Sequence, residues 1–153
     1  MKKKEILELY KGLNSLAGLR GVKFTYAVAK NMRVLQDEIS SLEKAVEADE
    51  KFKAYDTARV ELAKKHAEQD EKGEPKVENN QFVLADKKAF EEEHAKLRDE
   101  YTEAIAGREN QLLEYKSLLE EDVEVVLHKI NISQVPEDIS TEQMYAILPI
   151  VEE

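Results

Sequence analysis

Apolar residues recur at helical spacing from the start of the chain. Over residues 3–17, Ile6, Leu9, Tyr10, Leu13 and Leu16 stand three and four apart, which is one face of a short amphipathic helix. The stretch AGLRGV (17–22) ends it, with Gly18 or Gly21 expected to supply the positive φ that helix C-termini favour. A second helical pattern begins near Phe24 or Thr25 and meets no Gly or Pro before Gly73. Val28, Met32, Leu35, Ile39, Leu42 and Val46 alternate four and three in it, a coiled-coil seam. Beyond Val46 the seam shifts register and continues more weakly through Ala48, Phe52, Tyr55, Arg59, Leu62 and His66. At 1.5 Å per residue such a helix is about 65–70 Å long, so it needs a partner along its side.

The partner follows in sequence. Asp86 is placed to cap a helix in which Phe90, His94, Leu97, Tyr101, Ala104, Ile105, Leu112, Tyr115 and Leu119 recur at three and four. Gly107 sits in its middle and predicts a kink or a close backbone contact. One fold-back near residues 79–80 sets His66 against His94, Leu62 against Leu97, Tyr55 against Ile105 and Leu42 against Leu119. Phe52 opposite Arg108 is its poorest match. At the fold-back, PKVE and QFVL flank Asn79-Asn80, and Asn tolerates the positive φ of a tight hairpin turn, so a two-stranded ribbon is expected with Phe82 as its anchor.

Past Glu121 the pattern changes to DVEVVLHKINIS (122–133), whose alternating Val and Ile predict one strand or two. Pro136 ends it. STEQMYAIL then carries a capping box, Ser140 with Gln143, and Pro149 stops the helix. The expected fold is mainly α, in one domain over 1–153. A long antiparallel, coiled-coil-like helical hairpin (24–121) carries a short β-hairpin at its tip (73–85). Both termini (1–23 and 122–153) form a small α/β head.

Composition agrees with thin cores: 42% of residues are hydrophobic and 37% charged. The net charge of −10 opposes nucleic acid and anionic membranes, and the short run Lys2–Lys4 does not change that. With no cysteine there are no disulfides, thiolate nucleophiles or Cys-based zinc sites. No apolar run reaches membrane-spanning length and no signal-like apolar region follows the first lysines, so a cytoplasmic protein is expected.

Chemistry-bearing groups are sparse. His66 and His94 across the hairpin, with Glu93 or Glu68, form a conceivable metal pair, but a metal needs three or four convergent ligands. Glu91, Glu92 and Glu93 are consecutive on a helix and diverge from one another. Glu120, Glu121 and Asp122 end a helix where acid is unfavourable, which calls for Lys or Arg nearby. No serine elbow or glycine-rich phosphate loop occurs. No catalytic residue, metal or cofactor is expected, and the chain reads as a non-enzyme.

Three stretches, GVKFTYAVAKNMRVLQDEI (21–39), DEKGEPKVENNQFVLADKKAFEEE (70–93) and DVEVVLHKINISQVPEDISTEQMYAI (122–147), carry a resemblance across most of the chain. They are similar to a family of small acidic proteins encoded by bacteriophages and prophages of Gram-positive bacteria. The resemblance implies a phage accessory protein acting in the host cytoplasm or in virion assembly, and it assigns no catalytic residue. The resulting expectation is an interaction protein with a protein partner. Its candidate contacts are Asn79, Asn80 and Phe82 at the tip and Tyr26, Lys30 and Asn31 near the head. Uncovered apolar seam leaves room for homo-oligomers. The alternative is an acidic DNA mimic, against which the interleaving of Lys and Glu, as in ELAKKHAEQDEK, argues.

Overall fold

The computed structural model describes all residues, 1–153. It is mainly helical, with six α-helices and two two-stranded sheets. The first elements are α1 (Lys3–Asn14), α2 (Val22–Val46), α3 (Glu50–Lys65), β1 (Val77–Glu78) and β2 (Gln81–Phe82). They are followed by α4 (Lys87–Glu100), α5 (Thr102–Leu118), β3 (Ile130–Asn131), α6 (Thr141–Ile147) and β4 (Val151–Glu152). No helix is long and apolar enough to cross a membrane. The chain divides into two compact units, 1–46 with 114–153 and 47–113. The boundary therefore differs from the expected head and hairpin, because α2 belongs with the terminal segments.

The first unit holds the main core. Ile6, Leu9, Leu13 and Leu16 from the N-terminal segment meet Phe24, Ala27, Leu35 and Ile39 of α2 and Ile130, Ile147 and Ile150 from the C-terminal segment. α1 and α6 approach closely at Gly12, where an added Cβ would stand 2.7 Å from the Ala146 Cβ. The chain leaves α1 through Ser15 in a right-handed helical conformation, so neither glycine caps it as expected. Gly21 is at φ 136 just before α2, while Gly18 has no positive φ. The capping box of Ser140 and Gln143 starts α6 as the sequence predicts.

The expected strand over 122–133 shrinks to β3, which pairs in parallel with β4 through Ile130↔Val151 and Asn131↔Glu152. Its alternation is real: Val123, Val125 and Leu127 pack on the core. The ladder is missing because the run lies against helices, whose backbone groups are already bonded within themselves. Its polar groups go elsewhere, with Val123 N–H donating to the Met1 carbonyl at 2.9 Å. The acidic end past α5 receives the cations it called for. Lys2 and Lys4 each stand 2.7 Å from Glu120, and Lys3 is 2.8 Å from Glu121. Hydrogen bonds from Lys2 and Lys4 lower the Glu120 carboxyl from 4.5 to about 2.

The second unit lacks a comparable core; Tyr55 and Ala104 are its buried apolar side chains. The uninterrupted rod expected from residue 24 is broken at 47–49. Asp49 accepts the Phe52 N–H at 2.8 Å and starts α3 as a new helix, at the point where the seam shifts register. The second interruption falls at Tyr101, between α4 and α5, and not at Gly107, which lies inside α5 with open space where a Cβ would go. Asp86 caps α4 by accepting from Lys88 and Ala89.

Contacts between α3 and the chain after the turn run in reverse order. His66 meets Phe90 with ring centroids 6.0 Å apart, Tyr55 meets Tyr101 at 5.7 Å, and Arg108 lies 5.7 Å from the Phe52 centroid. The match that looked poorest is thus a cation–π contact. The tip is the expected hairpin, with Val77↔Phe82 and Glu78↔Gln81 paired across Asn79 (φ 50) and Asn80 (φ 61). A closed ring of backbone bonds secures its base: Glu68 N–H to Val83 O (2.7 Å), Val83 N–H to Lys76 O (3.0 Å), and Lys76 N–H to Glu68 O (2.7 Å).

Candidate interaction surface

The outer face of α2 carries the most distinctive surface chemistry. Between Glu8 and Asp37 the chain has no carboxylate side chain, while Lys11, Arg20, Lys23, Lys30 and Arg33 are all exposed. Lys23, Tyr26, Lys30 and Arg33 are spaced three, four and three apart, which places them in one stripe along the helix. None of the five cations is in an ion pair. Elsewhere Lys2, Lys3, Lys4, Lys53, Arg59, Lys64, Lys65 and Lys76 are among the residues that do form ion pairs.

His128 extends this stripe. The Asn31 amide donates to the His128 carbonyl at 2.9 Å and accepts the His128 N–H at 2.8 Å, so one side chain replaces a strand neighbour. The inward residues Val125 and Leu127 leave Val126 and His128 on the outward side of the run. The His128 ring meets Tyr26 edge-on at 5.7 Å, and Lys30 Nζ lies 3.5 Å from His128 Nδ1 and 5.8 Å from the Tyr26 centroid. Apolar surface flanks the cluster: Tyr26 is 59% exposed, Val22 90% and Val126 88%.

Tyr26 and Lys30 are therefore brought together at the surface. Asn31 is not part of that surface: it is fully buried and its amide is spent on the His128 backbone. Lys23, Arg33, Val126 and His128 were missed as candidates, although the carboxylate-free stretch that marks the first two is visible in the residues alone. At the tip, Asn79 and Asn80 are exposed and Phe82 is half-buried opposite Val77. The positive φ of both asparagines accounts for their presence without a ligand.

His66 and His94 are engaged separately. His66 Nε2 is 3.1 Å from Glu93 Oε1, whereas His94 Nε2 is 3.2 Å from the buried Tyr55 hydroxyl and its ring stacks on Phe90 at 5.3 Å. No group of three or more His, Asp or Glu converges as a metal site would require. Burial, reinforced by the charges of Arg98 and Arg59, lowers the pKa of His94 and favours its neutral ring. Hydrogen bonding to Lys65 lowers that of Glu93. With these contacts His66 and His94 link the helices of the second unit. No protein family matches this chain, nor does any curated protein or solved structure.

Proposed function

We propose that this chain is a non-enzymatic interaction protein of the accessory type encoded by bacteriophages, and that it binds a protein partner such as a host factor or a virion-assembly component. The observation that carries this reading is the Tyr26–Lys30–His128 cluster. Tyr26 and Lys30 face solvent beside Val22 and Val126, with the half-buried His128 ring edge-on to Tyr26, while Asn31 holds the His128 backbone in place. Exposed aromatic and cationic groups on a fixed scaffold are the usual anchors of protein interfaces. The net charge of −10 favours one alternative, an acidic mimic that occupies the nucleic-acid groove of a host protein.

The test is affinity capture from infected host cells with the wild-type chain, a Tyr26→Ala/Lys30→Glu variant and a chain lacking residues 75–84. Loss of a captured protein in the point variant, with retention by the tip deletion, supports the cluster. The reverse moves the contact to Asn79, Asn80 and Phe82. Release of the partner by added DNA selects the mimic, and capture of no protein by the wild-type chain ends the interaction reading.

A further inference from the structure

We infer that the Lys23–Tyr26–Lys30–Arg33 stripe docks an acidic amphipathic helix of another protein; this deepens the interaction reading above and rests on it. Three features of this surface select that occupant. The first is charge: these exposed cations have no carboxylate partner and lie in the chain's longest carboxylate-free stretch, whereas cations elsewhere such as Lys2, Lys4, Lys53 and Lys65 are held in ion pairs within the fold. A partner offering carboxylates supplies what this surface lacks.

The second is spacing. Intervals of three, four and three are the seam of a helix pair, and the stripe runs for about 15 Å at 1.5 Å per residue, enough for a helix laid along α2. The third is the apolar flank. Val22, Val126 and the Tyr26 ring give an aliphatic row something to cover, which a nucleic acid backbone does not use. A second copy of this chain is the poorer occupant, because symmetric stripe-on-stripe packing would set like charges face to face. Duplex DNA is poorer again, since three cations on a body of net −10 make a weak phosphate track.

The probe is a synthetic helical peptide with Glu at three- and four-residue spacing around a Leu row, titrated against the full-length protein by fluorescence anisotropy. Binding should weaken as salt rises, and it should fall by about tenfold or more in Lys30→Glu/Arg33→Glu. A peptide with Lys in place of Glu should not bind. The substituted positions are exposed, so thermal unfolding should match the wild type, and Tyr26→Ala provides an independent loss of affinity without a change of charge. Equal affinity of wild type and Lys30→Glu/Arg33→Glu would overturn the inference. So would tighter binding of duplex DNA than of the peptide, or a dimer in sedimentation that the same variant abolishes. A cellular partner captured equally by wild type and variant would sink the stripe while leaving the interaction reading standing.

Discussion

The two units are both built from amphipathic helices, yet they are held together in different ways. In the first, α1, α2 and α6 close around Ile6, Leu13, Phe24, Leu35, Ile147 and Ile150, each almost wholly removed from solvent. In the second, only Tyr55 and Ala104 are buried, and the unit depends on ring contacts, surface ion pairs and the backbone ring at the hairpin base. Three elements can surround a side chain, while two helices cover one face of each other and leave the rest wet. The first unit is thus specified by volume and the second by direction. Surface ion pairs contribute at most about 1 kcal/mol each, so the second unit should open more readily.

The largest expected effect is in the first unit. Ile6→Ala should lower the unfolding free energy by about 2–5 kcal/mol, through lost burial and a residual cavity, read by denaturant titration. Leu97→Ala, at a half-buried position in α4, should lower it by less than half as much. Equal losses would erase the distinction between the units.

One substitution made in both places should change sign. Gly12→Ala drives a Cβ into Ala146 and should destabilise by about 1–3 kcal/mol despite the better helix propensity of alanine. Gly107→Ala meets nothing within 4 Å in a helix interior and should stabilise by about 0.5–1 kcal/mol. Thermal melts of both variants check this.

The smallest effects are in pH dependence, and they fall in separate windows. Burial lowers the pKa of His94 below 6.5, so above pH 6.5 its ring is neutral in folded and unfolded chains alike. As pH falls below that value the unfolded ring takes up its proton first. Amide protection in α3 and α4, taken relative to the intrinsic exchange rate at each pH, should therefore fall there and level off beneath the folded pKa. Arg98→Ala, which removes one of the charges that lower the His94 pKa, should move the levelling-off to higher pH and leave the onset in place. Glu120 titrates at about 2 when folded against 4.5, so its contribution is intact above pH 4.5 and is lost as pH falls toward 2. Lys2→Ala/Lys4→Ala should remove that second step and leave the first.

Much of the local structure was legible in the residues. The apolar spacing in α1 and α2, the Asp86 cap, the capping box before α6 and the Asn79-Asn80 turn all depend on interactions within a few positions, and such short-range chemistry survives in any context. The helix break at 47–49 was visible only as a register shift, because Asp49 is as much at home on a solvated helix face as at a cap. The strand over 122–133 misled for the opposite reason: alternation reports which side is buried, and not whether a neighbouring backbone stands ready to bond. At the candidate surface, Tyr26 and Lys30 could be named in advance, but Asn31 could not be told from an exposed residue, since its burial depends on a segment far along the chain.

The order of amino acids by itself determined the starts of α4 and α6, which turn joins β1 to β2, and that α2 would carry cations on a carboxylate-free stretch. Only the tertiary structure decided that Asn31 would be buried, that His128 would stand beside Tyr26 and Lys30, and that α2 would join α1 and α6 in one core. The physical reason is range. Caps, turns and helical periods are settled among residues within a few positions of one another, whereas burial and the pairing of distant polar groups require the chain to close on itself.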